Sequence, residues 1–241
     1  MQIRTDLAME SRAGARPLEG VISRTFRHGP IEETQVRIST LEAAKALDKA
    51  LGQYITFSHP GLLRADCAER AALSRALAGA VRGMLPPFGD LLVVGLGNRR
   101  MTADALGSRV LEGLLITRHM KEITLDSLKG RLRGVCAVAP GVLGVTGMET
   151  AEVVHGVVER VRPAAVIAVD ALAARESSRI GTTIQVTDTG ILPGSGVGNH
   201  RMGLTKESLG VPVIAIGVPM VVYAAVIARD ALGLLLQDMG M

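Results

Sequence analysis

Tryptophan is absent from this chain, and aromatic residues make up only 2% of its 241 positions. Base stacking on aromatic platforms, the usual grip on single-stranded nucleic acid, therefore has almost nothing to work with. The core must be aliphatic. Cysteine is nearly absent too: Cys67 and Cys136 lie far apart with no Cys-x-x-Cys. That excludes a disulfide framework and fits free thiols in a reducing cytosol. No apolar signal region opens the chain, so a cytoplasmic location is expected. An excess of one charge is lacking as well. The net charge is +4 and the arginines are scattered, which reads as a solvated surface and no nucleic-acid face. The histidines (His28, His59, His119, His155, His200) show no metal-ligand spacing such as His-x-x-x-His. One uncharged run, residues 211–228, approaches membrane-span length. Pro212, Gly217 and Pro219 punctuate it, so it reads as a strand (Val211–Ile216), a turn and a helix, and no membrane span is expected.

What is present is aliphatic material in quantity: hydrophobic residues reach 48%, enough for a sizeable core. Residues 1–60 alternate short β-prone runs (Gly20–Arg27, Thr34–Ser39, Tyr54–Phe57) with Gly and Pro, which reads as a β-rich N-terminal arm. Leu73, Leu77, Val81 and Met84 recur at helical spacing before Pro86-Pro87. From Leu91 onward, short continuous apolar runs (Leu91–Gly95, Val135–Ala139, Ala164–Val169, Thr183–Thr187, Val211–Ile216) alternate with helical patterns such as 104–119 and 150–162. Continuous apolar strands between helices predict an α/β/α three-layer sandwich with a mostly parallel central sheet. The expected division is residues 1–6, an arm over 7–62, and the α/β/α unit over 63–241.

Three carboxylates follow expected strands: Asp104 after Leu91–Gly95 and its Gly95-Leu96-Gly97-Asn98 loop, Asp170 after Ala164–Val169, and Asp188 after Thr183–Thr187. Ligands of open α/β sheets bind beyond the carboxyl ends of strands. Carboxylates converging there can share a proton and activate water against a peptide carbonyl. Each also has a plainer reading. Asp104 suits the first turn of a helix, and Asp188, among Thr187, Thr189 and Gly190, suits a turn. Asp170 is harder to set aside, because an acid after six apolar residues is costly unless paired, exposed in a cleft or used. Gly95-x-Gly97 lacks the third glycine of a dinucleotide fingerprint, since Arg100 stands there. Pro193-Gly194-Ser195-Gly196 fails as a nucleophile elbow because Pro193 replaces the required glycine. Its glycines leave two readings, a surface turn or a backbone loop beside a substrate. Finally, Asp6-Leu7-Ala8 near the start places an acidic residue before a hydrophobic one and an alanine, which looks like a protease cleavage site.

Four collinear segments carry a resemblance: Arg4-Thr5-Asp6-Leu7-Ala8; Val93–Asn98 with Asp104-Ala105-Leu106-Gly107; Ala139–Gly144 through Thr150; and Ile167–Ala173 onward to Asp188-Thr189-Gly190 and Pro193–Asn199. Together they resemble the germination proteases of endospore-forming bacteria. The resemblance implies an endopeptidase that degrades small acid-soluble spore proteins in the spore core. It would cut after Glu or Asp, before a hydrophobic residue and then Ala. It implies a zymogen that removes its own N-terminus, here between Asp6 and Leu7, a homotetrameric active form, and a fold similar to hydrogenase-maturation endopeptidases. The family's proposed catalytic pair maps onto Asp104 and Asp170. The substrate surround maps onto Asn98, Asp188, Gly194, Ser195, Gly196 and Asn199.

The expected mechanism is a coupled carboxyl pair without a cofactor, with glycine-loop N–H groups on the oxyanion. Metal-assisted hydrolysis, with a divalent ion on Asp104 and Asp170, is the alternative. A silent peptide-binding homologue and a hydrogenase-maturation-type processing protease are the rival functions. The chain departs from the family at Leu192, His200, Met220 and Tyr223, and the family usually continues past the position of Met241.

Overall fold

A computed structural model describes residues 4–13, 15–122, 132–193 and 202–239. Eight strands among them form a single sheet: β1 (Val21–His28), β2 (Ile31–Ile38), β3 (Gly52–Ser58), β4 (Leu91–Gly95), β5 (Val135–Val138), β6 (Ala165–Ala174), β7 (Thr183–Thr187) and β8 (Val213–Val222). Their order across the sheet is β1-β2-β3-β7-β8-β6-β4-β5.

The expectation of a mostly parallel sheet needs correction. Parallel pairing joins β5, β4, β6 and β8. Antiparallel pairing joins β8 to β7, β7 to β3, and β3 to β2 to β1, so antiparallel pairs are the majority. The cause is connection length. A parallel return needs a crossover of roughly a dozen or more residues. Only residues 175–182 lie between β6 and β7, so the chain comes back in the opposite direction. The β-rich N-terminal region extends this sheet through the β3–β7 pairing.

Two strands run further than their sequence indicates. β6 continues past Asp170 to Ala174, and β8 continues through Gly217 and Pro219 to Val222. Proline cannot donate to a ladder, and it is found at sheet edges or bulges. Here the register between β6 and β8 shifts between Leu172 and Ala173, directly after the Leu172–Pro219 pair, leaving Met220 without a partner in the register.

Helices cover both faces. α3 (Cys67–Met84) begins with a capping box between Asp66 and Glu69 and ends before Pro86. Its Leu73 joins Phe57, Leu91, Ala165, Val186 and Ile214 in one buried cluster. On the opposite face, α6 (Thr150–Val161) buries Ala151, Val154 and Val158 against Leu92, Val94, Val166 and Ala168. The alternation along β6 and β8 sorts these sets. Ala168 and Asp170 share the α6 face, as do Val213 and Gly217. The shorter α1 (Ala8–Ala13), α2 (Leu41–Leu47), α4 (Leu106–Glu112), α5 (Leu143–Thr146) and α7 (Lys206–Leu209), and the C-terminal α8 (Ala224–Asp238), complete the described elements. α4 is shorter than the 104–119 pattern indicates. No helix among the described residues is long and apolar enough to cross a membrane.

α4 rides directly on the sheet. A Cβ at Gly107 would lie 2.4 Å from Leu96 N, Leu96 O and Val169 O, and one at Gly95 would lie 2.4 Å from Gly107 O. This glycine contact brings the loop that carries Asp104 down onto β6. Gly107→Ala is therefore expected to lower stability by about 1–3 kcal/mol through overpacking. Gly156→Ala in α6, where a Cβ meets nothing within 4 Å, should raise it by about 0.5–1 kcal/mol. Urea unfolding of the two variants checks both signs.

Candidate functional site

Asp170 sits within β6 and is only 6% exposed. It pairs with Gly217 of β8, and Gly217 pairs in turn with Gln185 of β7. In-register residues on adjacent strands face the same side of a sheet. Asp170 and Gln185 therefore stand on one face with a glycine between them. Burial pushes the Asp170 carboxyl up to about 7. The Ala171 N–H, which donates to Oδ1 at 2.8 Å, opposes that, while the charges of Asp104 and Asp6 push further in the same direction.

Asp104 reaches the same region from a 3₁₀ turn (Thr102–Asp104) after β4. The backbone N–H of Asn98 donates to its Oδ2 at 2.7 Å. Gly97 passes beside it with φ of +93°, and a Cβ there would lie 2.1 Å from Asp104 O and 2.7 Å from Oδ1. Only glycine combines that conformation with that approach.

The N-terminal segment threads into this site. Asp6 N–H donates to Ala173 O at 2.9 Å, and Ala173 N–H donates to Asp6 Oδ2 at 2.7 Å. Leu7 is fully buried in a cluster with Leu172 and Ala174. Ala8 is fully buried against Val36, Ile38 and Tyr54. Lys49 Nζ donates to Thr5 O at 2.9 Å. Burial lowers the Lys49 pKa, and the nearby Asp6 charge opposes the shift. In the first turn of α1, buried Glu10 accepts from the Thr5 hydroxyl, from Arg175 N–H at 2.8 Å and from Glu176 N–H at 3.1 Å. Residues 5–10 are thus stitched to the strand that carries Asp170.

Asp6, Lys49, Asp104, Asp170, Gln185 and Thr187 all line one cavity of about 550 Å³, at whose wall Leu192 also lies. Asn98 acts through its backbone on Asp104, and its side-chain Oδ1 accepts from Arg100 N–H at 3.0 Å. Asp188 is exposed, and its carboxylate accepts from Gln53 N–H at 2.8 Å. β7 runs antiparallel to β8, so its last residues point away from the carboxyl ends of the parallel strands. Thr187, Thr189 and Gly190, the neighbours of Asp188, line the cavity. Gly194, Ser195, Gly196 and Asn199 lie outside the described residues, as does His200. Tyr223 is the residue before α8. Gln185, Lys49 and Glu10 were not singled out from sequence. The signal for Gln185 was present in Thr183-Ile-Gln-Val-Thr187: a polar residue at every second position of a central strand marks a polar stripe on one face.

Among the described residues the cavity wall presents no histidine or cysteine, so its anionic donors are carboxyl oxygens: those of Asp104 and Asp170, with Asp6 and Asp48 also on the wall. A hard divalent cation is the metal such a set would suit. Without one, the same two groups can divide acid and base work, because the apolar surround holds Asp170 protonated toward neutrality. An unfolded Asp titrates near 3.9. The stability Asp170 contributes is therefore complete below about pH 4 and is lost as pH rises through about 7. Urea midpoints of the wild-type chain should fall across that window by up to about 1.4 kcal/mol per pH unit. Asp170→Asn should lose this fall and be the more stable protein at pH 8.

Residues 2–241 match the family described as Germination protease. The chain is 45% identical over 248 residues to the germination protease of Clostridium perfringens (strain SM101 / Type A), covering 98% of this chain and 75% of that one. It is 47% identical over 241 residues to that of Caldanaerobacter subterraneus subsp. tengcongensis, covering 98% and 74%. It is 42% identical over 251 residues to that of Bacillus subtilis (strain 168), covering 99% and 68%. A cavity that gathers two carboxyls around an Asp-Leu-Ala segment is thus found in a chain similar to these proteins over nearly its full length, and the chain belongs to the germination protease family.

Proposed function

We propose that this protein is the endopeptidase that begins the breakdown of small acid-soluble spore proteins at germination, cutting after Glu or Asp and before a hydrophobic residue followed by Ala. The observation that carries this reading is the shared cavity: Asp104 and Asp170 line it together with Asp6 of an intact Asp6-Leu7-Ala8 segment. The chain is made as a zymogen, and removal of residues 1–6 opens the part of the cavity that Arg4, Thr5 and Asp6 line.

Asp104 is the base that takes a proton from water, and Asp170, protonated toward neutrality, donates to the substrate carbonyl or leaving amine. A metal-assisted reaction at the same carboxyls is the competing chemistry. The three-layer architecture of the hydrogenase-maturation endopeptidases is the fold comparison this reading adopts, with helical cover on both faces as its support. A homotetramer in the spore core is the assembly. In its favour, α8 leaves Leu232, Leu234 and Leu235 exposed at 60, 66 and 58%, apolar surface of the kind that marks an interface.

The test is a cleavage assay on a small acid-soluble spore protein, with products mapped by intact mass. Cuts after Glu or Asp before hydrophobic-Ala are expected. Asp170→Asn should lower the rate about 10²–10⁴-fold. The rate should fall as pH rises through about 7, where Asp170 loses its proton. Activity that survives EDTA supports the carboxyl pair, and loss restored by a divalent ion supports the metal. Binding without cutting at every pH from mildly acidic to neutral contradicts the proposal and makes the chain a silent peptide-binding homologue.

A further inference from the structure

Gln185 is 5% exposed on the central strand β7, and both ends of its carboxamide are engaged by the N-terminal segment. Oε1 accepts from Ala8 N–H at 2.8 Å. Nε2 donates to Asp6 O at 3.1 Å. A backbone N–H can only donate, so the Ala8 bond fixes which end of the amide is oxygen and which is nitrogen. The nitrogen is thereby aimed at the carbonyl of the peptide bond that joins Asp6 to Leu7.

The surroundings hold this aim. Asp6 is pinned to Ala173 by its own N–H and by its carboxylate. The Leu7 side chain is locked among Leu172 and Ala174. Across the sheet, Gly217 stands between Gln185 and Asp170 on the same face, and the Leu172 side chain packs over it. The Asp6 carbonyl thus faces a preorganised N–H donor in the same cavity as the two carboxyls.

We propose that Gln185 is a catalytic residue of self-cleavage, its Nε2–H polarising the Asp6 carbonyl and stabilising the oxyanion that forms there. This is a side-chain donor besides the glycine-loop N–H groups expected from sequence, and it rests on the reading that the chain cuts itself between Asp6 and Leu7. Water attacks the Asp6 carbonyl carbon and yields its proton to the ionised carboxylate of the pair. The carbonyl π electrons move to oxygen, where the Gln185 N–H receives the charge. On collapse the C–N bond breaks, and Leu7 nitrogen takes a proton from the protonated carboxyl. The new Asp6 carboxylic acid gives its proton to the Leu7 amine, so the products are an Asp6 α-carboxylate and a Leu7 α-ammonium, with one water consumed and one proton left on the carboxyl pair.

The test follows first-order self-cleavage of the full chain by intact mass, wild type beside Gln185→Leu and Gln185→Glu. The Glu variant keeps the acceptor for Ala8 N–H and, when ionised, loses the donor. It serves if the Leu variant fails to fold. Both are expected to cleave about 10²–10³-fold more slowly than wild type, the usual loss for one oxyanion donor. Amide exchange at Ala173 should remain protected, as it is only while Asp6 stays docked. Cleavage of a folded variant within about threefold of wild type overturns the assignment. A slow variant with an unprotected Ala173 amide also overturns it, because Gln185 is then only a positioning residue. A wild-type chain that never cuts at Asp6–Leu7 overturns the processing-site reading itself, and this inference with it.

Discussion

The structure depends on one costly placement: a carboxyl in the interior of a sheet. Asp170 lies between Val169 and Ala171 on a ten-residue strand whose neighbours on its own face are aliphatic. Removing a charge from water there is expensive, and one backbone N–H does not compensate for it. The group answers by holding its proton to about pH 7. Several surrounding features keep that environment in place. The long β6 and β8 carry the sheet past the carboxyl, and the Leu172 side chain packs over Gly217 beside it. The Gly95–Gly107 contact lowers the Asp104 loop to within electrostatic reach.

The second constraint is that residues 5–10 belong to the fold and are also the segment with a substrate-like sequence. Leu7, Ala8 and Glu10 are core residues of the described structure, whereas Asp6 and Arg4 face the cavity. A cut between Asp6 and Leu7 would divide the segment where its two roles meet. The anchored part would stay with the sheet, and the part lining the cavity would be free to leave. The residues behind that point are held to the end of β6 by Glu10 and to β7 by Gln185.

Much of this could be read from the sequence, and the failures have physical causes. Strand positions from Leu91 onward followed from continuous apolar runs, and α3 and α6 from their spacing and caps. Asp170 was conspicuous because an acid ending an apolar run demands an explanation. Strand direction was not legible, since the same apolar run serves either orientation, and the short 175–182 connection was the only clue. The Asp188 carboxylate holds Gln53 at the start of β3, a partner far away in sequence. The continuation of β8 through Pro219 was hidden because proline reads as a strand end unless a bulge absorbs it. Gln185 and Lys49 were missed because their roles arise from residues more than forty positions away in sequence.

Asp170 holds its proton toward neutrality under the charge of Asp104, and titrating it in the intact protein tests this. Carboxyl ¹³C shifts of aspartate-labelled chain would be followed from pH 4 to 9, with Asp170→Asn identifying the resonance. A midpoint near 7 that moves down when Asp104 is replaced by Asn is expected. A midpoint in the ordinary aspartate range, or one indifferent to Asp104, would contradict it.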